Sequence, residues 1–378
     1  MVCTNGIHLC YSLNVFPDQG VEGRILALSK LVPELRRRLG LARDTPMAMG
    51  LWLDDRSALE LQDSRRLDEL KACVERLAIY VPTLNVFPMG RFHGPSVKNK
   101  VYQPDWTDPA RLAHTVRCAA ILSSLPHGGA TISMSTLPGG YLTDMPPDAK
   151  RIALTSIAEC GAALADLYEL TGNRIILAVE PEPDCLWESP SQILNAIDDA
   201  ISECPKAHGH LGVCHDTCHQ ELTGLTPGEG LGLLLDAGMS VPKIQLSAAV
   251  EADGAAAAAL GAGFSEDVYL HQTRRFEGAG AAVETLHDLP RRLHSGVGRW
   301  VSHFHVPIFS EGIQPGIRAA KSELKAVLNV AADPRLAGSV FEIETYTYHV
   351  LPPALAGDGL AATIAAEYLW ALERLAKS

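Results

Sequence analysis

No Cys-x-x-Cys pair occurs among the nine cysteines of this 378-residue, 40.6 kDa chain, and Cys214 and Cys218 are four apart. An odd cysteine count without a framework, in a chain this long, reads as reduced thiols in a cytoplasmic protein. No apolar stretch reaches 18 residues, so no membrane span is expected, and the alanine run 255–259 is far too short for one. The segment Met1 to His8 has no basic region followed by an apolar run, so no signal peptide is expected. Positive charge is scarce: 32 Lys and Arg against 44 Asp and Glu give a net charge of −12. That balance argues against nucleic acid as a partner, because phosphate binding needs a clustered basic footprint. The basic clusters Arg36 to Arg38 and Arg274-Arg275 are short, lie beside acids, and read as solvated faces. Also missing are GxGxxG and GxxxxGK[ST] phosphate loops and the GxSxG elbow of serine hydrolases. With 47% hydrophobic and 20% charged residues, what remains is an ordinary globular composition.

Paired metal-competent side chains are what the chain does have. Glu180-Pro-Glu182, His303-Phe-His305 and Glu342-Ile-Glu344 each place two such groups two residues apart in a β-like stretch, and a fourth stretch ends in Asp216-Thr-Cys-His219. Residues i and i+2 of a strand point to one face, so each pair converges on one surface. Carboxylates and imidazoles gathered from several strand ends suit a divalent-metal site in a barrel mouth.

A strand-then-helix alternation frames these pairs. Strands are predicted over 7–16, 47–53, 79–87, 130–137, 174–179, 211–214, 243–249 and 339–345. Helices are predicted over 21–40, 64–78, 108–124, 147–171, from Ser189-Pro190 onward, 227–237 and 358–376. Ser-Pro is an N-cap and first-turn pair. Eight apolar strands, each followed by a helix, predict an α/β fold of the (β/α)8 TIM-barrel type, one domain over 1–378. Glu180, Asp216, Gln245 and Glu344 then fall at the C-terminal edges of strands five to eight, where barrel chemistry sits. About a hundred residues separate Gln245 from Glu344, more than one βα unit needs. This predicts an insertion between strands seven and eight, about 251–298, as an extended loop over the barrel mouth. Alternatively, 300–309 is itself strand seven.

The chemistry follows from position. Glu180 follows five apolar residues, and a carboxylate at the end of a buried strand must be paired, hydrogen-bonded or metal-bound. Asp216, His303, His305 and Glu344 join it as candidate metal ligands. Glu342, deeper on the same face as Glu344, is a candidate internal polar partner. His219 reaches the same cavity from the first helical turn, and His215, on the opposite strand face, is expected to pack outside. Asn85, Arg91 and His93 after strand three, with Tyr102 or Trp106 beyond, are candidate pocket residues. Gln245 and the insertion's His271 are candidate substrate contacts.

At these residues the chain resembles the xylose-isomerase-like TIM barrels, which include sugar isomerases and epimerases and the family-2 apurinic endonucleases. Asp216-Thr-Cys-His219 is similar to their Asp-Thr-x-His signature, and Glu180 and Glu344 stand at their other two acidic metal ligands. The resemblance implies a divalent cofactor, Zn²⁺, Mn²⁺ or Fe²⁺. Strand seven usually carries His there; here it carries Gln245, which His303 or His305 would have to replace. His303-x-His305 imperfectly resembles the acid-x-His pair that binds an additional metal in the endonucleases. More narrowly, Asn85-Val-Phe-Pro, Phe92-His-Gly, Val101 to Trp106, Lys243 to Ala248, Tyr269 to Gln272 and His303 to Pro307 resemble the EboE group of metabolite-traffic proteins. The resemblance implies an isomerase or epimerase of a small sugar or cyclitol in secondary-metabolite biosynthesis or traffic. Glu180 and Glu344 would move the proton and His219 orient a hydroxyl, with oligomerisation open. A non-catalytic metabolite carrier and a zinc phosphodiesterase are the competing readings.

Overall fold

The computed structural model describes residues 1–377 apart from 4–5, 18–19, 91, 95, 295, 353–354 and 356, so Arg91 lies outside the described residues. Eight parallel strands form the barrel wall. They are β1 (His8–Tyr11), β2 (Met47–Ala48 and Leu51–Trp52), β3 (Ile79–Tyr80 and Thr83–Asn85), β4 (Ile132–Thr136), β5 (Ile175–Val179), β6 (Leu211–Asp216), β7 (Lys243–Leu246) and β8 (Val340–Ile343). Hydrogen bonding runs from β2 through β7 to β8 and on to β1, and a parallel bridge between Ser12 and Gly50 closes the ring. Two strands are split where the backbone departs from the ladder. Pro82 has no N–H to donate within β3. Gly50 sits in the break of β2, where a Cβ would stand 1.5 Å from Glu342 Oε1.

Most of the predicted helices stand one after each strand. Gly20–Leu39, Ser64–Arg76, Pro109–Ser123, Ala149–Thr171, Pro190–Glu203, Glu229–Asp236 and Leu360–Leu375 cover the outer faces of the strands. Ser189 and Gln192 cap the fifth of these reciprocally, and Pro190 opens it.

Inside the ring the filling is polar. Lys243 and Glu342 are both fully buried, with Nζ 2.7 Å from Oε2. Lys243 also donates to Asn85 Oδ1 at 2.5 Å and Ser135 Oγ at 3.0 Å, and Asn85 Nδ2 donates to Ser12 Oγ at 2.8 Å. A buried ion pair is tolerable only when its remaining donors and acceptors are satisfied, and this one is tied to four strands. Glu342 is thus an internal partner. His215 points outward, as expected, where its Nε2 meets Glu323 Oε1 at 2.7 Å.

The segment after β7 is not an extended loop. Ala249–Asp253, Thr273–Phe276, Glu284–Leu286, Arg299–Ser302, Gly312–Gln314 and Ile317–Ala320 form a six-stranded antiparallel sheet. It begins before and ends well after 251–298. Strands of three to five residues carry too few alternations for their period to show. Nor is 300–309 the seventh barrel strand: Arg299–Ser302 pairs antiparallel with Ala249–Asp253 and Thr273–Phe276. Arg274 is likewise no solvated residue. It is buried and donates to Asp184 at 2.6 Å.

The closing helix stitches the insertion to the barrel through one acid. Fully buried Glu367 accepts from Ile308 N (3.0 Å), Thr345 Oγ1 (2.7 Å), Tyr11 Oη (3.2 Å) and Tyr348 Oη (2.5 Å). Burial pushes its pKa up to about 7 despite these donors. Between the ordinary 4.5 and about 7 the folded chain holds a proton that the unfolded chain releases, so stability falls as pH rises through that window. Above it the loss levels off at about 3 kcal/mol, at about 1.4 kcal/mol per pH unit. Urea unfolding at pH 5 and pH 8 should therefore show Glu367→Gln losing much less stability than the wild type between the two; equal losses would contradict the assignment.

Candidate metal centre

Three carboxylates meet at the C-terminal mouth of the barrel. Glu180 is the first residue after β5, Asp216 ends β6, and Glu344 follows β8. One oxygen from each lies within 4.8 Å of the others. Asp216 Oδ1 caps the short helix Thr217–Gln220, accepting from Cys218 N at 2.6 Å and His219 N at 3.0 Å, and from Ser247 Oγ at 2.7 Å. Its Oδ2 is buried and has no partner among the described residues. Asn14, two residues beyond Ser12 at the end of β1, donates to Glu344 Oε1 at 2.7 Å.

Three imidazoles face the same space with their tautomers fixed. His219 Nδ1 donates to Pro181 O at 2.9 Å, and His305 Nδ1 to Glu344 O at 2.7 Å. His303 Nδ1 donates to Gln272 Oε1 at 2.8 Å, and that amide's orientation is set by its nitrogen, which donates to Pro183 O at 3.1 Å and Tyr102 Oη at 2.9 Å. A carbonyl can only accept, so each Nδ1 carries a hydrogen, and in the neutral ring the Nε2 keeps a lone pair. His303 Nε2 and His305 Nε2 stand 3.3 Å apart. Two lone pairs at that distance repel unless a cation lies between or beside them. A carbonyl holding the far N–H is also the usual support of a metal-bound imidazole.

Electrostatics sharpen the arrangement. Burial first, then the neighbouring acids Glu344 and Asp216, hold Glu180 well above the usual carboxylate range. Burial, then Asp216 and Glu342, do the same to Glu344. Asp216 moves down: burial opposes this, but His219, His305 and the N–H donors outweigh it. Burial drives His303 well below its ordinary value and His305 to about 4, so both are neutral near pH 7. The buried cation Lys243 is spent on Glu342. Hard carboxylate oxygens and neutral imidazole nitrogens together suit Zn²⁺, Mn²⁺ or Fe²⁺. Besides the acid trio, Asp216 with His219 and His305, Glu182 with His219 and His303, and Cys218 with His303 and His305 bring donor atoms within 4.8 Å.

No protein-family model and no curated protein matches this sequence. Solved structures do. A xylose-isomerase-like TIM barrel protein from Mycobacterium smegmatis in complex with magnesium is 13% identical, with a TM-score of 0.52 over 99% of this chain and 97% of that one. The IolI protein with a bound zinc atom is 15% identical, with a TM-score of 0.51 over 98% and 99%. An L-ribulose 3-epimerase is 12% identical, with a TM-score of 0.51 over 98% and 95%. The fold is that of a xylose-isomerase-like TIM barrel.

Not every residue singled out from the sequence reaches the mouth of this xylose-isomerase-like barrel. Asn85 lies on the cavity floor, but its amide is committed to Lys243, Ser12 and Glu342, and to Ser135. Gln245 lies level with Asp216 and Glu342 and reaches Asn85 Oδ1 at 3.3 Å, leaving its own oxygen without a partner among the described residues. His93 braces the rim, with Nε2 on Asn14 O at 2.6 Å and Nδ1 on Tyr269 Oη at 2.8 Å. His271 is a support rather than a pocket residue: Nδ1 donates to His303 O at 2.7 Å and Nε2 meets Glu266 at 2.8 Å. Trp106 is core, its Nε1 donating to Thr136 Oγ1 at 3.1 Å. Asn14 and Gln272 escaped the sequence reading, since neither is a metal-ligand type nor part of a spaced pair. Glu182, left without a role there, takes a 2.7 Å hydrogen bond from Tyr102 Oη. Phe87, Phe92, Tyr102, Tyr269 and Tyr346 roof the cavity.

Gln272 offers a test that leaves every donor atom in place. Gln272→Leu removes the acceptor that orients His303, and such outer supports typically account for about 10–100-fold in metal affinity. Competition with a chromogenic zinc chelator should show a loss in that range; unchanged affinity would show that His303 is not a ligand.

Proposed function

We propose that this barrel is a divalent-metal-dependent isomerase or epimerase of a small polyhydroxylated substrate, a sugar or cyclitol. The observation that carries the proposal is the convergence of three buried carboxylates and three Nε2 lone pairs beneath an aromatic roof at the C-terminal ends of the strands. Glu180, Asp216 and Glu344 would hold the ion, with His303 and His305 supplying the imidazole that strand seven lacks at Gln245. The unpartnered Asp216 Oδ2 and the opposed His303 and His305 nitrogens are the features that fit a cation. A bound divalent ion supplies Lewis-acid polarisation of substrate oxygens.

The remaining work belongs to the chain. Burial and the neighbouring acids push the carboxyls of Glu180 and Glu344 well above the usual carboxylate range, which suits groups that take up and return a proton. A carboxyl that gives and takes a proton at carbon is what epimerisation and aldose–ketose exchange require. His219, fixed through Nδ1, directs Nε2 toward a substrate hydroxyl. The aromatic roof packs on the C–H faces of a ring and excludes water. The epimerase and the metal-bound proteins among the structural relatives agree with this reading. The narrower resemblance to the EboE group would place the reaction in secondary-metabolite biosynthesis or traffic, and the nine unpaired cysteines suit a reducing cytoplasm.

Proton NMR in D₂O, with Zn²⁺- or Mn²⁺-loaded protein and a panel of free ketoses and keto-cyclitols, tests it directly. Deuterium should enter at the carbon beside the carbonyl of the true substrate. Glu180→Gln and Glu344→Gln should each slow exchange by about 10²–10⁴-fold, the usual worth of a positioned acid or base, with folding intact. Exchange at wild-type rate in both variants would sink the proton-transfer assignment. Tight binding without exchange would make the protein a carrier.

A further inference from the structure

We infer that the strap Val97–Tyr102 is a gate over the metal centre and that Lys98 is its latch. The inference rests on the proposed reading of that centre as the site of a sugar or cyclitol. The cavity at the centre measures ≈ 60 Å³. At about 10–15 Å³ for each water, this is room for about five waters and too little for a sugar ring. The donor groups around it are correspondingly shut off from solvent. Glu180, Glu182, His219, His303, His305 and Glu344 are each at most 9% exposed. A substrate of the proposed class therefore enters only when part of the wall moves.

The part built to move is the strap. Lys98, Val101 and Tyr102 form one side of the roof, and Tyr269 and Leu270 of the insertion form the other. Barrel and sheet are held by strand ladders, whereas the strap is a short 3₁₀ helix, Lys98–Tyr102. Its joint with the insertion is concentrated at Lys98. Nζ donates to Glu266 O, Tyr269 O and Asp288 Oδ2, each at 2.7 Å, which uses all three ammonium hydrogens. Val97 N and Lys98 N both donate to Val268 O, at 2.8 and 2.9 Å. Lys98 holds a φ of +44° to reach these acceptors, in the region that favours glycine. Such strain persists while surrounding contacts over-determine the backbone, and it favours opening once they let go. The ion pair is also breakable: its side chains are 25% and 37% exposed, and pairs so placed contribute little. Tyr102, bound to Glu182 at 2.7 Å and Gln272 at 2.9 Å and stacked on Tyr141, is the anchored end. The latch also connects to the centre. Asp288 Oδ1 accepts from His271 N at 3.0 Å, and His271 Nδ1 donates to His303 O at 2.7 Å.

Stopped-flow uptake of Co²⁺ by the metal-free full-length protein, and its release to excess EDTA, tests the inference. A gate controls both directions, so Lys98→Met should speed uptake and release alike, at least tenfold each, with Kd changed less than threefold. A merely structural support would speed release alone and weaken Kd. Asp288→Asn keeps Oδ1 for His271 N and removes the charge facing Lys98. It should speed both rates at least threefold, and it repeats the test should Lys98→Met fold poorly. Hydrogen exchange on the metal-free protein is the second readout: Lys98→Met should raise exchange across 97–102 at least tenfold and leave β5 and β6 unchanged. The inference is overturned by faster release alone, by unchanged rates in either folded variant, or by unchanged exchange across 97–102. Failure of wild type and variants alike to take up Co²⁺ would instead overturn the metal-centre reading, and hydrogen exchange would then decide the gate by itself.

Discussion

The buried ion pair between Lys243 and Glu342 is the constraint around which this barrel is organised. Desolvating both charges costs several kcal/mol for each ion, and only a complete set of partners makes that tolerable. The set is supplied by Asn85 on β3 and Ser135 on β4, with Ser12 and Gln245 holding Asn85 in place, so the pair ties strands of the wall together. Its bulk dictates Gly50, since any Cβ there would collide with the Glu342 carboxylate. Its charge reaches the mouth as well: Lys243 opposes the upward drift of both Glu180 and Glu344.

Above that floor the chain accepts an arrangement that opposes folding. Carboxylates crowd one another out of water, and two imidazole lone pairs face each other. Local frustration of this kind persists where function needs it and the surroundings over-determine the geometry. Asp216 is pinned through Oδ1 by two backbone N–H groups and Ser247, which frees Oδ2 for other use. Each imidazole is pinned through Nδ1 in the same manner. A cation at the mouth would turn these repulsions into coordination, so its binding energy would add to stability.

Much of this was legible in the sequence, and the reason is periodicity. An apolar run ending in an acid is a buried strand with a functional end, and Glu180, Asp216 and Glu344 announce themselves in that way. Their shared face needed only the two-residue period of a strand. The antiparallel sheet was not legible: its strands are short, its turns are long, and Arg274 looks like surface until its buried partner Asp184 is seen. Asn14, Gln272 and the support role of His271 were also hidden. They act through hydrogen bonds to residues distant in sequence, and no local pattern encodes such a bond.

The inserted sheet makes sense of the one departure from the expected ligand pattern. Arg299–Ser302 lies between two neighbouring strands, so it is among the stiffer parts of the sheet, and His303 and His305 leave from its end. His303 N donates to Gln272 O at 2.8 Å, and the Thr347 hydroxyl donates to His305 O, so both backbones are tied down on either side. The His305 ring is then fastened to the carbonyl of Glu344 itself. An imidazole presented from strand seven would be positioned by the barrel alone; here two are positioned by the sheet, and one of them, His305, is locked to the end of β8. Gln245 is therefore free to serve the interior network beneath, and the loss of a histidine at strand seven need not be the loss of the site.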